Sequence, residues 1–212
     1  TDAAGNAISD NTTGELVVRS SNDPPTSSND ALTLNEDTTT TLSAADFGSY
    51  ADPNSDPLAA VKLTTLPSAG LLEFNNGSGW SNVSLNQVIS KADLDAGNLR
   101  YTPTANANGA PYATLGFEVS DGALYSTSSY TLTLSVAAVN DAPVQTSTAL
   151  ASIAVLEDSA NSTAVSLGLT SLSYGSGGGS DESGQTFTYT LTGIPSFINV
   201  FQSDGTTAVT AG

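Results

Sequence analysis

The segment Tyr130-Thr131-Leu132-Thr133-Leu134-Ser135-Val136 places an apolar side chain at every second position. Successive side chains of a β-strand point to opposite faces, so this alternation predicts a strand with one buried face and one solvated face. Shorter segments alternate in the same way, at 61–63, 99–101, 115–119 and 187–191. The chain is therefore predicted to form several half-buried strands.

Turn-forming residues separate these segments, among them Asp52-Pro53-Asn54 and Asn75-Asn76-Gly77. Asp121-Gly122 and Asp204-Gly205 are predicted to form hairpin turns. The only weakly helical stretch, 91–96, is too short to be stable by itself. Many short strands joined by regular turns predict an all-β fold built as an antiparallel β-sandwich.

Charge and composition exclude several classes of function. The 212 residues carry 21 acidic and 4 basic side chains, a formal net charge of −17. Such a chain repels nucleic acid and anionic membrane surfaces. It has no cysteine and no histidine, which excludes disulfides, thiol catalysis and the commonest general base. No apolar run approaches the roughly 18 residues of a membrane-spanning helix. The hydrophobic fraction of 38% is ordinary, so the chain is expected to fold.

A short phrase occurs twice, as Asn22-Asp23-Pro24-Pro25 and Asn140-Asp141-Ala142-Pro143 (140 − 22 = 118). An acidic pair follows each phrase, Glu36-Asp37 and Glu157-Asp158, with a similar spacing (157 − 36 = 121). This period is long enough for a complete domain. We therefore predict the C-terminal remnant of a preceding repeat at 1–23, a complete module at 24–141, and the N-terminal part of a different module subtype at 142–212. The glycine-rich stretch 174–179 distinguishes the last module.

Carboxylates recur along the complete module in a pattern that suits a metal ion. Calcium binds roughly six to eight oxygen ligands and tolerates mixed carboxylate, amide and carbonyl donors, whereas magnesium demands tighter octahedral geometry. Transition metals prefer nitrogen or sulfur ligands. Two carboxylates about 4 Å apart repel by about 4 kcal/mol at an effective dielectric constant of about 20, so convergent carboxylates would need a cation. The four basic residues, Arg19, Lys62, Lys91 and Arg100, are too scattered to supply that charge.

Turn formation is the competing interpretation of the same residues. Aspartate and asparagine before proline or glycine stabilise turns by bonding their own backbone, without any metal. For Asp52, Asn54 and Asp56 both interpretations stay open, whereas ligation is favoured for Asn140 and Asp141.

Four segments carry a family resemblance: 139–143, Asn35-Glu36-Asp37, the region from Asp93-Leu94-Asp95 to 103, and 117–122. Together they resemble cadherin repeats, and more closely the cadherin-like tandem modules of large bacterial surface proteins. The resemblance implies Greek-key β-sandwich modules with calcium bound at their joints. It implies a second joint made by Glu36, Asp93, Asp95, Asn140 and Asp141, with Asp181 or Glu182. It implies a first joint made by Asn22, Asp23, Asp52 and Asp56, with Asp2 as a further contributor.

The chain departs from the cadherin pattern at its linkers. Pro24 and Ala142 stand where cadherins have a second asparagine, and the loop from Asp52 to Asp56 is not a strict Asp-x-Asp motif. These departures predict fewer ions at each joint, or weaker binding, than in cadherins.

The resulting prediction is a non-enzymatic structural or adhesive segment of a secreted or surface-displayed bacterial protein. Calcium would rigidify the joints between modules, with the roughly 10⁻⁴ to 10⁻³ M affinities typical of extracellular modules. The expected partners are calcium, neighbouring repeats of the same protein, and other cells or surface glycans. Nucleic acid is not an expected partner.

Two alternatives belong to other functional classes. A carbohydrate- or ligand-binding module would place its site near Trp80, Tyr50 or Tyr112, where exposed aromatic rings could stack on a ligand. A glycosidase would use Asp93 and Asp95 as its carboxylate pair, which is the weakest of the three hypotheses. Unpaired strand edges also predict self-association of the fragment by strand swapping.

Overall fold

A computed structural model describes residues 21–148, 153, 165–196, 198–202 and 206–212. The chain divides into two compact units, 1–137 and 138–212, which are described separately. The predicted module boundaries at 23/24 and 141/142 stay predictions. Asp2, the pair Glu157-Asp158 and the predicted turn Asp204-Gly205 lie outside the described residues.

The described part of the first unit, residues 21–137, forms two β-sheets. The five-stranded sheet has the order β1-β9-β8-β3-β6, and the four-stranded sheet has the order β2-β7-β4-β5. All of its strand pairs are antiparallel except β1 with β9, which is parallel. The strands are β1 (Asp30–Asn35), β2 (Thr40–Thr41), β3 (Ala60–Thr65), β4 (Leu71–Asn75), β5 (Trp80–Asn82), β6 (Val88–Ser90), β7 (Leu99–Thr102), β8 (Gly109–Ser120) and β9 (Tyr130–Ala137). The prediction of an all-β sandwich is confirmed.

The alternating positions of these strands form the core. On β9, Leu132, Leu134 and Val136 are buried while the residues between them are partly exposed. The predicted inward residues of β3, β7 and β8 are likewise buried. At the centre the rings of Phe47 and Phe117 meet edge to face, with centroids 5.1 Å apart. Aromatic pairs in this geometry add to the stabilisation from buried area.

One short helix, α1 (Lys91–Asp95), confirms the weakly helical prediction. The Ser90 side chain caps it by accepting the N–H of Asp93 at 3.1 Å. Leu94 is buried in the core. Since a helix of this length is unstable alone, the cap and the packing of Leu94 hold it in place.

Strand register defines two ends of the first unit. At the Ser120 end, Ala60 on β3 pairs with both Ser120 on β8 and Ser90 on β6. At the Ala137 end, Asn35 on β1 pairs with Ala137 on β9. The loop before β3, the turn after β8 and helix α1 therefore share the Ser120 end.

The second unit has little regular structure among its described residues. β10 (Val144–Gln145) pairs antiparallel with β11 (Tyr174–Gly175), and 3₁₀ turns occupy Leu169–Ser171 and Ser180–Glu182. The strand predicted at 187–191 is wrong, because these residues adopt no strand and Tyr189 is 57% exposed. Alternation produces a strand only where a neighbouring strand pairs with it, and no described segment of this unit does so.

The core position of Phe117 makes a test of the sandwich. Phe117→Ala should lower the free energy of unfolding of the first unit by about 3–5 kcal/mol, because it removes a fully buried ring and leaves a cavity. Urea denaturation followed by the fluorescence of Trp80, the single tryptophan, measures this change. Thr114→Ala, at an exposed position on the same strand, should change it by less than about 0.5 kcal/mol. Equal losses in the two variants would contradict the assigned core.

Candidate metal centre

Three carboxylates converge at the Ser120 end of the first unit. One oxygen each from Asp52, Asp56 and Asp121 lie within 4.8 Å of one another. Asp52 and Asp56 belong to the loop before β3, and Asp121 follows β8. The pairing of Ala60 with Ser120 brings the two segments side by side. Asp52 and Asp56 were predicted site residues, whereas Asp121 was predicted only as a turn residue.

The two oxygens of Asp52 have different surroundings. Oδ1 accepts the backbone N–H groups of Asn54 at 2.7 Å and Asp56 at 3.0 Å, which closes the predicted turn. Oδ2 is buried and has no hydrogen-bond partner. Buried polar atoms in folded proteins are almost always paired, so an unpaired carboxylate oxygen calls for an explanation. A cation held among Asp52, Asp56 and Asp121 would supply the missing partner.

Asp121 connects the carboxylate cluster to the first joint phrase. Its Oδ1 accepts the N–H groups of Ala123 and Leu124, both at 2.7 Å, which confirms the predicted turn. Its Oδ2 accepts the side-chain N–H of Asn22 at 2.8 Å. Hydrogen bonds lower the pKa of Asp121 below its ordinary value of 3.8. The bond from the N–H of Leu124 has the largest effect, and the bond from the Asn22 amide has the next largest. Asp121 is therefore ionised at neutral pH.

The first joint phrase makes a second contact with the same loop. The backbone N–H of Asp23 donates to Asn54 Oδ1 at 2.6 Å, and Asn54 Nδ2 donates to the carbonyl of Ser21 at 3.4 Å. The structure thus brings together the four predicted residues of the first joint. Asn22 joins through its side chain and Asp23 through its backbone.

The pKa of the neighbouring Tyr50 reflects the negative charge concentrated at this cluster. Its hydroxyl donates to the carbonyl of Asp56 at 3.0 Å. Burial, and then the charges of Asp52, Asp121 and Asp56, raise the pKa of Tyr50 to about 12. The three carboxylates disfavour a further negative charge beside them, and the same field attracts a cation.

The residues expected to form the second joint are not brought together within the first unit. Glu36 is buried at the Ala137 end, where Asn108 Nδ2 donates to its Oε2 at 3.3 Å. Asp93 and Asp95 belong to α1 at the opposite end. The expectation of one set containing all three is therefore wrong. The physical reason is strand pairing. Helix α1 directly follows β6, and the pairing of Ser90 with Ala60 places the end of β6, and therefore α1, at the Ser120 end.

Both helix carboxylates have local partners. Asp93 accepts the hydroxyl of Ser90 at 2.6 Å and the side-chain amide of Asn98 at 3.0 Å. These contacts, led by the Ser90 hydroxyl, lower the pKa of Asp93. Asp95 forms an exposed ion pair with Lys91 at 2.6 Å. Asp93 and Asp95 therefore stabilise helix α1 and its cap.

In the second unit the other joint phrase contacts the predicted acidic pair. The backbone N–H of Asp141 donates to Glu182 Oε1. Asn140 Oδ1 accepts the side-chain amide of Gln185 at 2.7 Å. Glu182 is buried, whereas Asp181 is exposed. Of the two predicted alternatives, Glu182 is the residue that reaches the phrase.

Comparison with known families gives one result that bears on this fold. Residues 22–135, more than half of the chain, match the family model described as bacterial Ig domain. The matched stretch contains Asp52, Asp56 and Asp121. Comparison with curated proteins and with solved structures finds no match. Across the described ranges, no helix has the length and apolar character needed to cross a bilayer.

The lowered pKa of Asp121 predicts a specific acid sensitivity. A carboxylate whose pKa is lowered by folding stabilises the protein above its unfolded-state pKa, and this stabilisation is lost as the pH falls through the folded-state pKa. In chelator, the wild type should lose stability on acidification below about pH 4 more steeply than Asp121→Asn. Asn22→Ala should fall between them, because the Leu124 N–H remains. Urea midpoints at a series of pH values measure these slopes, and identical slopes in all three proteins would contradict the assignment.

Proposed function

Because the chain belongs to the bacterial Ig domain family, we propose that it is a calcium-binding, non-enzymatic segment of a bacterial surface or secreted protein. Bacterial Ig domains are typically structural or adhesive modules and commonly occur in extracellular or surface proteins. The observation that carries the calcium proposal is the buried, unpaired Oδ2 of Asp52 beside the carboxylates of Asp56 and Asp121.

Electrostatic repulsion supports a cation at this cluster. Two carboxylates about 4 Å apart repel by about 4 kcal/mol at an effective dielectric constant of about 20. The three cationic side chains that the structure describes are engaged elsewhere: Lys62 with Glu118, Lys91 with Asp95, and Arg100 with Glu73. The compensating charge would then come from an ion in solution.

The donor set favours calcium among the common ions. Asp52, Asp56 and Asp121 offer hard carboxylate oxygens, and the loop around them offers backbone carbonyls. Calcium accepts such mixed and irregular oxygen donors, whereas magnesium requires a nearly ideal octahedron. The sequence has no cysteine or histidine to supply the sulfur and imidazole ligands that transition metals prefer. Millimolar extracellular calcium matches the roughly 10⁻⁴ to 10⁻³ M affinities of extracellular modules.

Calcium at this position would stiffen the first joint. The ion would link the loop of Asp52 and Asp56 to the turn of Asp121. Asp121 in turn holds Asn22 of the joint phrase. Three segments that are distant in sequence would thereby be fixed to one another. This is the mechanical role that the cadherin-like resemblance implies, and it supports a tandem array stiffened by calcium as a spacer or adhesive element.

The carbohydrate-binding alternative has less support. Arg100 stacks on the ring of Trp80, with its guanidinium carbon 3.9 Å from the ring centroid, so one stacking face is covered. The hydroxyl of Tyr50 donates to Asp56, and the hydroxyl of Tyr112 accepts the N–H of Thr104. The glycosidase hypothesis has less support still, because Asp93 and Asp95 serve helix α1.

Calcium should stabilise the first unit through the carboxylate cluster. For a dissociation constant of about 1 mM, 10 mM calcium raises the free energy of unfolding by about 1.4 kcal/mol. Asp52→Asn should abolish this increase, because it removes the charge of the carboxylate that has the unpaired oxygen. Urea denaturation followed by Trp80 fluorescence, in calcium and in chelator, measures the change, and titration calorimetry measures the affinity.

Asp95→Asn is the matched control for this experiment. It removes one negative charge at the same end of the unit, from an exposed ion pair whose loss costs little. The calcium effect should survive in this variant. The proposal fails if calcium leaves the wild type unchanged, or if the calcium effect survives equally in Asp52→Asn.

A further inference from the structure

Both joint phrases are bound in the same way by the module that follows them. In the first unit, the backbone N–H of Asp23 donates to Asn54 Oδ1 at 2.6 Å. In the second unit, the backbone N–H of Asp141 donates to Glu182 Oε1. Each acceptor is a side-chain oxygen from a loop downstream of the phrase. In each phrase the N–H of the aspartate thus donates to a side-chain oxygen of the following module.

The sequence independently identifies the two acceptors as equivalent positions. The segment Leu191-Thr192-Gly193-Ile194-Pro195 repeats the pattern of Leu63-Thr64-Thr65-Leu66-Pro67 (191 − 63 = 128). Asn54 and Glu182 are separated by the same interval (182 − 54 = 128). The hydrogen bonds and the 128-residue repeat interval therefore both identify Asn54 and Glu182 as equivalent acceptor positions.

The carboxylates of Asp52 and Asp56 in the candidate metal centre are not repeated at this interval. Ser180 stands at the position of Asp52 (180 − 52 = 128), and Gly184 stands at the position of Asp56 (184 − 56 = 128). Two carboxylates of the candidate metal centre thus have no acidic residue at the aligned positions of the second unit, where the loop carries Asp181 and Glu182 instead.

Glu182 instead directs both of its oxygens to backbone donors. Its Oε1 accepts the N–H of Asp141, and its Oε2 accepts the N–H of Gly178 at 3.1 Å. The residue is only 2% exposed. A buried carboxylate needs hydrogen-bond donors or a cation to offset its lost hydration, and backbone N–H groups meet that need here.

The glycine-rich stretch makes this arrangement possible. The second unit has ten more residues between phrase and acceptor than the first (128 − 118 = 10). A Cβ at Gly177 would overlap the carbonyl oxygen of Ala142, and a Cβ at Gly178 would overlap Asp141 Oδ2. The glycines therefore allow the inserted backbone to approach the phrase closely enough to present the N–H of Gly178.

We propose that the second joint phrase is held without metal, by a clasp made of Glu182 and the N–H groups of Asp141 and Gly178. The first phrase depends on Asn54 and also on the calcium-binding cluster, and this half of the contrast rests on the proposed function. Calcium depletion would then loosen the first joint segment and leave the second attached to its module. The two joints of one chain differ in their calcium requirement.

Amide hydrogen exchange of the ¹⁵N-labelled 212-residue chain tests the proposal. In the wild type, chelator should speed exchange at Asp23 and leave Asp141 and Gly178 within about twofold of their rates in calcium. Glu182→Ala should speed exchange at Asp141 and Gly178 by roughly tenfold or more in both conditions, because a charge-assisted hydrogen bond is lost at each. Asp181→Ala removes the same charge from the exposed neighbour and should leave both rates unchanged.

A second substitution covers the case in which Glu182→Ala unfolds the second unit. Glu182→Gln keeps one acceptor oxygen, so one of the two amides should stay protected and the other should exchange faster. Faster exchange of Asp141 in chelator would overturn the clasp, and so would full protection of both amides in Glu182→Gln. If chelator leaves the exchange rate of the Asp23 amide unchanged while the Glu182 variants speed exchange at Asp141, the proposed calcium function is contradicted and the clasp is supported.

Discussion

The register between β3 and β8 is the constraint on which the rest of the first unit depends. It places Leu63 opposite Phe117 and Val61 opposite Val119 in the core, and it ends with Ala60 opposite Ser120. A slip of one residue would turn every core side chain of a strand toward solvent, so the apolar alternation disfavours it. The same register places the loop before β3 beside the turn after β8. Burial of the core and assembly of the carboxylate cluster are therefore consequences of one strand pairing.

Turn formation and metal binding are compatible at this cluster because a carboxylate has two oxygens. Asp52 uses Oδ1 to close its own loop and leaves Oδ2 unpaired toward the cluster. Asp121 uses Oδ1 for its turn and Oδ2 for Asn22. The turn hydrogen bonds orient each side chain in advance, which lowers the conformational entropy that an ion must remove on binding. At Asp52 the two interpretations, which compete when only the sequence is considered, describe different oxygens of one carboxylate.

The two joint phrases show how one local motif can serve different environments. In both units an aspartate N–H is bound by a side chain of the following loop, asparagine in one case and glutamate in the other. Asn54 is a neutral acceptor beside three carboxylates. Glu182 brings its own charge and offsets it with backbone donors, one of which comes from the glycine-rich insertion. Repetition of the phrase therefore does not imply repetition of the metal chemistry around it.

The sequence by itself predicted the strands β3, β7, β8 and β9 of the first unit, its sandwich class, and Asp52 and Asp56 as candidate metal ligands. Each of these follows from local information: period-2 alternation, turn residues, and acidic residues close together in the chain. Only the tertiary structure decided that Asp121 joins the cluster, that Glu36 and Asp93 lie at opposite ends, and that 187–191 forms no strand. These outcomes depend on which strands are neighbours and in what order. Strand order is a property of long-range pairing, and no local periodicity encodes it.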